Sequence, residues 1–130
     1  ELPAVNEVSS GEEIMAMRHI VRRVAVTDQV RSYAIRLVMA TQPGSPHAPA
    51  AVNHAVALGS SPRGAQGLLL LGKVRAILGG RFAVSCQDIR DAALPVLRHR
   101  ILLNFEGQSD RVHPDDLVKA AISSVGELSS

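Results

Sequence analysis

The chain is 130 residues long, 46% hydrophobic and 20% charged, with a 2% aromatic content carried by Tyr33, Phe82 and Phe105 and no tryptophan. That suits one domain around an aliphatic core and excludes a disordered tail or a second catalytic module. Fourteen basic residues nearly cancel twelve acidic ones, leaving a net charge of +2, so the pI of 9.2 reflects how little titrates above neutrality and does not mark a basic surface.

Residues 1–9 read as a linker. Ser10 and Glu13 stand at capping-box spacing, and Ile14, Met17, Val21 and Val24 recur at helical intervals, so residues 11–23 read as an amphipathic helix. Val24-Ala25-Val26 reads as extended. Thr27 then caps a second helix, in which Val30, Tyr33, Ala34, Leu37 and Val38 form one stripe and Arg31 and Arg36 lie outside it.

Residues 42–60 contain Pro43, Gly44, Pro46, Pro49 and Gly59 without sustained periodicity, and read as the longest loop. Ser61 as cap and Pro62 at the first helical position then start an apolar helix running to Gly79-Gly80, expected to be central and the most buried. Phe82-Ala83-Val84 is extended. A capping pair, Ser85 and Asp88, leads into the stripe Ile89, Ala92, Ala93, Val96 and Leu97, with Pro95 expected to kink that helix near its middle and Arg98-His99-Arg100 at its end. Residues 101–105 read as extended, and Pro114 starts a last helix through Leu117, Val118, Ala121, Ile122 and Val125. The expected fold is mainly α, a small bundle of about five helices with two or three short extended segments.

No self-contained active site emerges. Phosphate-binding GxxxxGK[ST], GxGxxG and HExxH patterns are absent from the sequence. The single Cys86 excludes an internal disulfide and a cysteine-based zinc site, favours a reducing, cytosolic setting, and has no neighbour that would activate it. His47 and His54 lie in the loop, His19, His99 and His113 are isolated from them, and no metal site is expected. Asp115-Asp116 read as first-turn acids that complement a helix dipole. The arginines are scattered and the aromatics too few for base stacking, so no nucleic-acid partner is expected. No uninterrupted apolar stretch exceeds the four residues of Leu68 to Leu71, so neither a membrane span nor a signal peptide is expected.

Arg63 stands apart. It falls in the first turn of the most apolar helix, where the dipole repels a cation, so an anionic partner is expected, either a protein carboxylate or a phosphate.

Several segments, in order and at matching spacing, carry a resemblance over residues 8–125. They are Val24-Ala25-Val26-Thr27-Asp28, Tyr33, Leu37-Val38-Met39-Ala40-Thr41, Leu58-Gly59-Ser60-Ser61-Pro62-Arg63-Gly64, Gly80-Arg81-Phe82-Ala83-Val84, Gln87-Asp88-Ile89 and Val96-Leu97-Arg98-His99-Arg100. Together they resemble the C-terminal helical lid domain of MoxR-family AAA+ ATPases. The resemblance implies an AAA+ lid fold over residues 10–126, a tail at 127–130, and an upstream ATPase core on the same polypeptide from which Leu2-Pro3-Ala4-Val5 leads; the start at Glu1 in place of Met fits an excised domain or a processed terminus. It also implies that Arg63 is the sensor-2 residue that reaches the ATP γ-phosphate, with Ser61 and Pro62 positioning it. ATP and Mg2+ would be bound in the full-length protein, the Mg2+ by the missing core, and a hexameric ring would hydrolyse ATP to remodel or assemble partners, some with von Willebrand factor A domains. Gly80-Arg81 and His99-Arg100 match the family pattern and read as structural. Gln42 departs from it, since the family usually has Arg there, and residues 43–57 match no family motif. The competing readings are a freestanding helical interaction module without a nucleotide role, and a small DNA-binding helical domain.

Overall fold

The structure, a computed structural model, describes residues 3–126. The expected tail at 127–130 and the first two residues of the expected linker lie outside them. Helix α1 (Gly11–Arg22) begins at a reciprocal box: Ser10 Oγ accepts from the Glu13 N–H at 3.2 Å, and the Glu13 carboxylate accepts from the Ser10 N–H at 2.9 Å. The Ser10 N–H foremost, and then the Ser9 hydroxyl, which donates to the same carboxylate at 3.0 Å, hold the Glu13 carboxyl below its ordinary pKa. Helix α2 (Asp28–Met39) is capped by Thr27 and buries the expected stripe of Val30, Tyr33, Ala34, Leu37 and Val38.

The segment read as one long loop holds structure of its own. Helix α3 (Ala50–Ala55) and strand β1 (Val56–Leu58) occupy its second half, and β1 pairs antiparallel with β2 (Leu102–Leu103) through an irregular register, Val56 opposite Leu103 and Leu58 opposite Leu102. The expected extended run at 101–105 is therefore shorter, because Asn104 caps a further helix, α6 (Phe105–Ser109), its side chain accepting from the Gly107 N–H at 2.8 Å. Val52, Ala55, Val56 and Leu117 form a second small core that holds this subassembly against helix α7 (Pro114–Ser124).

Helix α4 (Pro62–Leu78) runs through the main core. Helix α5 (Cys86–Leu97) lies along its narrow face of Gly64, Leu68, Gly72 and Ala76, with α2 and α1 also packed against it. Helix α4 is central, as expected, but it is not the most buried helix: four of its 17 residues are buried against six of 12 in α5, and Leu70 is 55% and Leu78 82% exposed, because the neighbouring helices close only part of its circumference. Helix α1 likewise carries its apolar stripe without burying it; none of its residues is fully buried, and Ile14 and Met17 are each more than half exposed. Pro95 sits in the last turn of α5, not its middle; the helix ends two residues later and tightens into a 3₁₀ turn, Arg98–Arg100.

The two short extended pieces meet. Ala25 and Ala83 form an isolated parallel bridge, the Ala25 N–H donating to the Phe82 carbonyl and the Val84 N–H to the Ala25 carbonyl, each at 3.0 Å. It ties the lead-ins of α2 and α5 together. Among the described residues there are thus seven α-helices and a two-stranded sheet, α3 and α6 being the two short helices beyond the five expected.

Candidate functional site: the start of helix α4

Ser61, Pro62 and Arg63 occupy the N-cap, first and second positions of α4. Pro62 fits there because its missing N–H would have no intrahelical partner and its φ is already helical. Ser61 holds the cap position without the cap bond expected of it: its side chain accepts no hydrogen bond from the first turn. Neither is there an acidic residue in that turn. Pro62 has no N–H and the Gly64 N–H donates to the Ser61 carbonyl at 2.8 Å, while the partial positive charge of the helix end is left without an acid of its own.

Arg63 is exposed, and it makes no ion pair or hydrogen bond among the described residues. Several arginines near helix ends are engaged, Arg81 and Arg98 with Asp88 and Asp115 and Arg100 Nε with the Val96 carbonyl at 3.1 Å, whereas Arg22 and Arg23 at the end of α1 are, like Arg63, without a side-chain partner among the described residues, but at a C-terminus where the dipole favours a cation. Of the two anionic partners the sequence leaves open for Arg63, no carboxylate of the described residues fills the role. A guanidinium carries five planar donors, a geometry that matches phosphate and carboxylate oxygens.

The turn preceding Arg63 is held from another helix. The Ser60 N–H donates to Thr41 Oγ1 at 2.9 Å, Thr41 Oγ1 donates to the Val38 carbonyl at 2.7 Å, and Gln42 reaches both Gly59 and Ser60. Thr41 and Ser60 are both buried. Gly59 lies so close to the Thr41 carbonyl that a Cβ there would collide with backbone, so glycine is required for contact and not for its φ. Sequence reasoning singles out Gln42 only as a departure from a pattern. The signal for its role, a side-chain amide meeting two backbone groups seventeen and eighteen residues on, is not local.

The remaining sequence-flagged residues are structural. Arg81 donates from both terminal nitrogens to buried Asp88 at 2.7 Å each, and Gly80 takes the left-handed φ of +71° that ends α4. The guanidinium of Arg81, with the Ser85 bonds, holds the Asp88 carboxyl well below the usual carboxylate range. Cys86 is buried at the start of α5. His54 meets Asp110 at 2.9 Å, and His113 caps α7 through Nδ1, which accepts from the Asp115 N–H at 3.2 Å. Asp115 and Asp116 lie in the first turn of α7. Among the described residues no three His, Cys, Asp or Glu side chains gather as a metal site, and no helix is long and apolar enough to cross a membrane. A cavity of about 630 Å³ at the opposite end of α4 is lined by Arg75, Arg81, Asp88 and Asp91, whose charges already satisfy one another.

A family model described as the AAA lid domain matches residues 48–121. The chaperone MoxR1 of Mycobacterium tuberculosis is 26% identical over 123 residues, which are 95% of this chain and 33% of that protein. An uncharacterized Bacillus subtilis protein, YeaC, is 25% identical over 124 residues, 95% of this chain and 36% of its own length. The crystal structure of a candidate ATPase from Cytophaga hutchinsonii superposes with a TM-score of 0.85 at 24% identity, over 91% of this chain and 36% of that one. The chain thus spans about a third of the length of the relatives it matches.

Proposed function

This chain belongs to the AAA lid domain family, with its likeness to the MoxR type, and from that premise we propose that it is the lid of an AAA+ ATPase in which Arg63 serves as the sensor-2 arginine. The observation that carries this reading is the state of Arg63: exposed, without an anionic partner among the described residues, and projecting from a helix start that has no acid of its own. The residues fit a nucleotide's phosphate in charge and donor number. They do not fit a magnesium site, so a metal accompanying the nucleotide would be held by the core domain and not by the lid. Bound there, ATP supplies the phosphoryl group whose hydrolysis drives the cycle.

What this chain contributes follows from its own parts. Pro62 and the clamped Gly59-Ser60 turn orient α4; Arg63 presents a fixed positive charge to the terminal phosphate. When that phosphate leaves, the charge loses its partner, and the lid is released to rotate as a body on the core. In the whole protein this would couple hydrolysis, in a cytoplasmic homo-oligomeric ring, to remodelling or assembly of partner proteins, those with von Willebrand factor A domains among the expected clients. Residues 1–9 then serve as the linker from the core and residues 10–126 as the lid.

The test is Arg63→Ala in the full-length protein. Loss of a charge-assisted contact of about 1.5–3 kcal/mol lowers hydrolysis by roughly 10- to 100-fold while the circular dichroism spectrum stays unchanged. Unaltered hydrolysis refutes the reading. One observation favours a second reading, a freestanding interaction module without a nucleotide role: the open apolar face of Ile14, Met17, Ile20 and Leu70. It predicts that full-length protein neither binds nor hydrolyses ATP.

A further inference from the structure

Helix α4 is not secured by its own cap. In α1, α2, α5, α6 and α7 the N-cap side chain accepts from a first-turn N–H, whereas Ser61 does not. The restraint comes instead from the end of α2. Gln42 Oε1 accepts from the Gly59 N–H at 3.2 Å, and Gln42 Nε2 donates to the Ser60 carbonyl at 2.9 Å. With the Thr41 bond to the Ser60 N–H, three backbone groups of the two residues Gly59 and Ser60 are tied to two residues of one neighbouring segment. The partners themselves dictate the orientation of the amide, since an N–H must face its oxygen and a carbonyl its nitrogen.

Between this clamp and Arg63 lie only Ser61 and Pro62, whose φ is locked by its ring. Gly64, on the other side of Arg63, is pressed against the Ser60 side chain and Leu97, so the first turn cannot shift sideways to compensate. We propose that Gln42 is a positioning residue: its amide sets the direction in which α4 presents Arg63, and so links the attitude of α2 to the contact Arg63 makes. This rests on the reading of Arg63 given above. The primary amide of Gln42 accepts from Gly59 and donates to Ser60 at once. Glutamate keeps the acceptor alone, arginine keeps donors alone, and alanine keeps neither.

The experiment compares Gln42→Ala, Gln42→Glu, Arg63→Ala and the Gln42→Ala/Arg63→Ala double variant in the full-length protein, reading kcat and KM for ATP together with the thermal midpoint. Misaiming an otherwise intact arginine lowers kcat by roughly 3- to 10-fold, with KM held within about twofold, because the guanidinium acts on the reacting phosphate itself. Gln42→Glu, which keeps the Gly59 bond but turns a second carboxylate oxygen toward the Ser60 carbonyl, also lowers kcat, and serves as the readout should the alanine variant not fold. In the double variant the Gln42 change has no further effect, since there is no arginine left to aim. A full kcat in Gln42→Ala beside a depressed kcat in Arg63→Ala overturns the positioning role and leaves the sensor reading standing. An undiminished Gln42 effect in the Arg63→Ala background also overturns it, showing a general structural role. An unchanged kcat in Arg63→Ala removes the sensor reading and this inference with it.

Discussion

Replacing Asp88 by alanine removes the acceptor of four hydrogen bonds at once: two from Arg81 at 2.7 Å, and one each from the Ser85 N–H and Oγ at 2.8 Å. The carboxylate is buried, so its bonds are worth more than a surface pair, while the Arg81 side chain stays 46% exposed and returns to water without penalty when its partner goes. Bonds to a charged acceptor together with the missing half of a capping box make the cost of Asp88→Ala about 3 kcal/mol. For a chain of this size that is a fall of roughly 10 °C in Tm. The pH dependence has a definite sign. The folded-state pKa of Asp88 lies below its unfolded value, so its contribution is fully present above the ordinary carboxylate pKa of about 3.9 and is lost as pH falls from there through the folded value. Urea unfolding followed by circular dichroism at several pH values from neutral to acidic measures this directly. The wild-type advantage over the alanine variant is constant down to about pH 5 and shrinks in more acid solution. A difference below about 1 kcal/mol at neutral pH, or one that grows on acidification, refutes the reasoning.

Leu68, fully buried where α4 faces the core, costs about 3 kcal/mol when changed to alanine, checked by the denaturant midpoint at unchanged slope. Met17→Ser on the open face of α1 leaves stability within about 0.5 kcal/mol of wild type in the same assay, although it exchanges an apolar side chain for a polar one in a stripe with the spacing of a core face.

The parts of this fold written in local spacing are the parts the sequence discloses. The Ser10 and Ser85 caps, the α2 stripe and the Gly79-Gly80 stop all depend on residues within two turns of one another. Helix α3 does not: Pro49 gives it no side-chain cap, and it is stabilised by Val52 and Ala55 packing on Leu117, far along the chain. Strand β1 exists only through β2, and α6 starts at an Asn whose neighbouring Phe105, 82% exposed, carries no core pattern. An amphipathic stripe such as that of α1 predicts a helix but cannot tell whether this chain supplies anything to cover it. At the candidate site the same division holds. Arg63 and Pro62 declare themselves by type and position, whereas the Thr41 and Gln42 side chains that hold their turn act across a tertiary contact.

The bridge between Ala25 and Ala83 bears on how the domain is assembled in time. Its two hydrogen bonds join residues separated by all of α2, α3 and α4, and closing a loop of that length costs about 3.5 kcal/mol in chain entropy. Two backbone bonds contribute about 2 kcal/mol, too little to lead the process. The helices must first dock around Leu68 and bring the strands together, so the bridge forms late, once the path of the chain is set. It is a latch on a completed fold, flanked by Val24 and Val84, which are themselves buried in the helical core it closes.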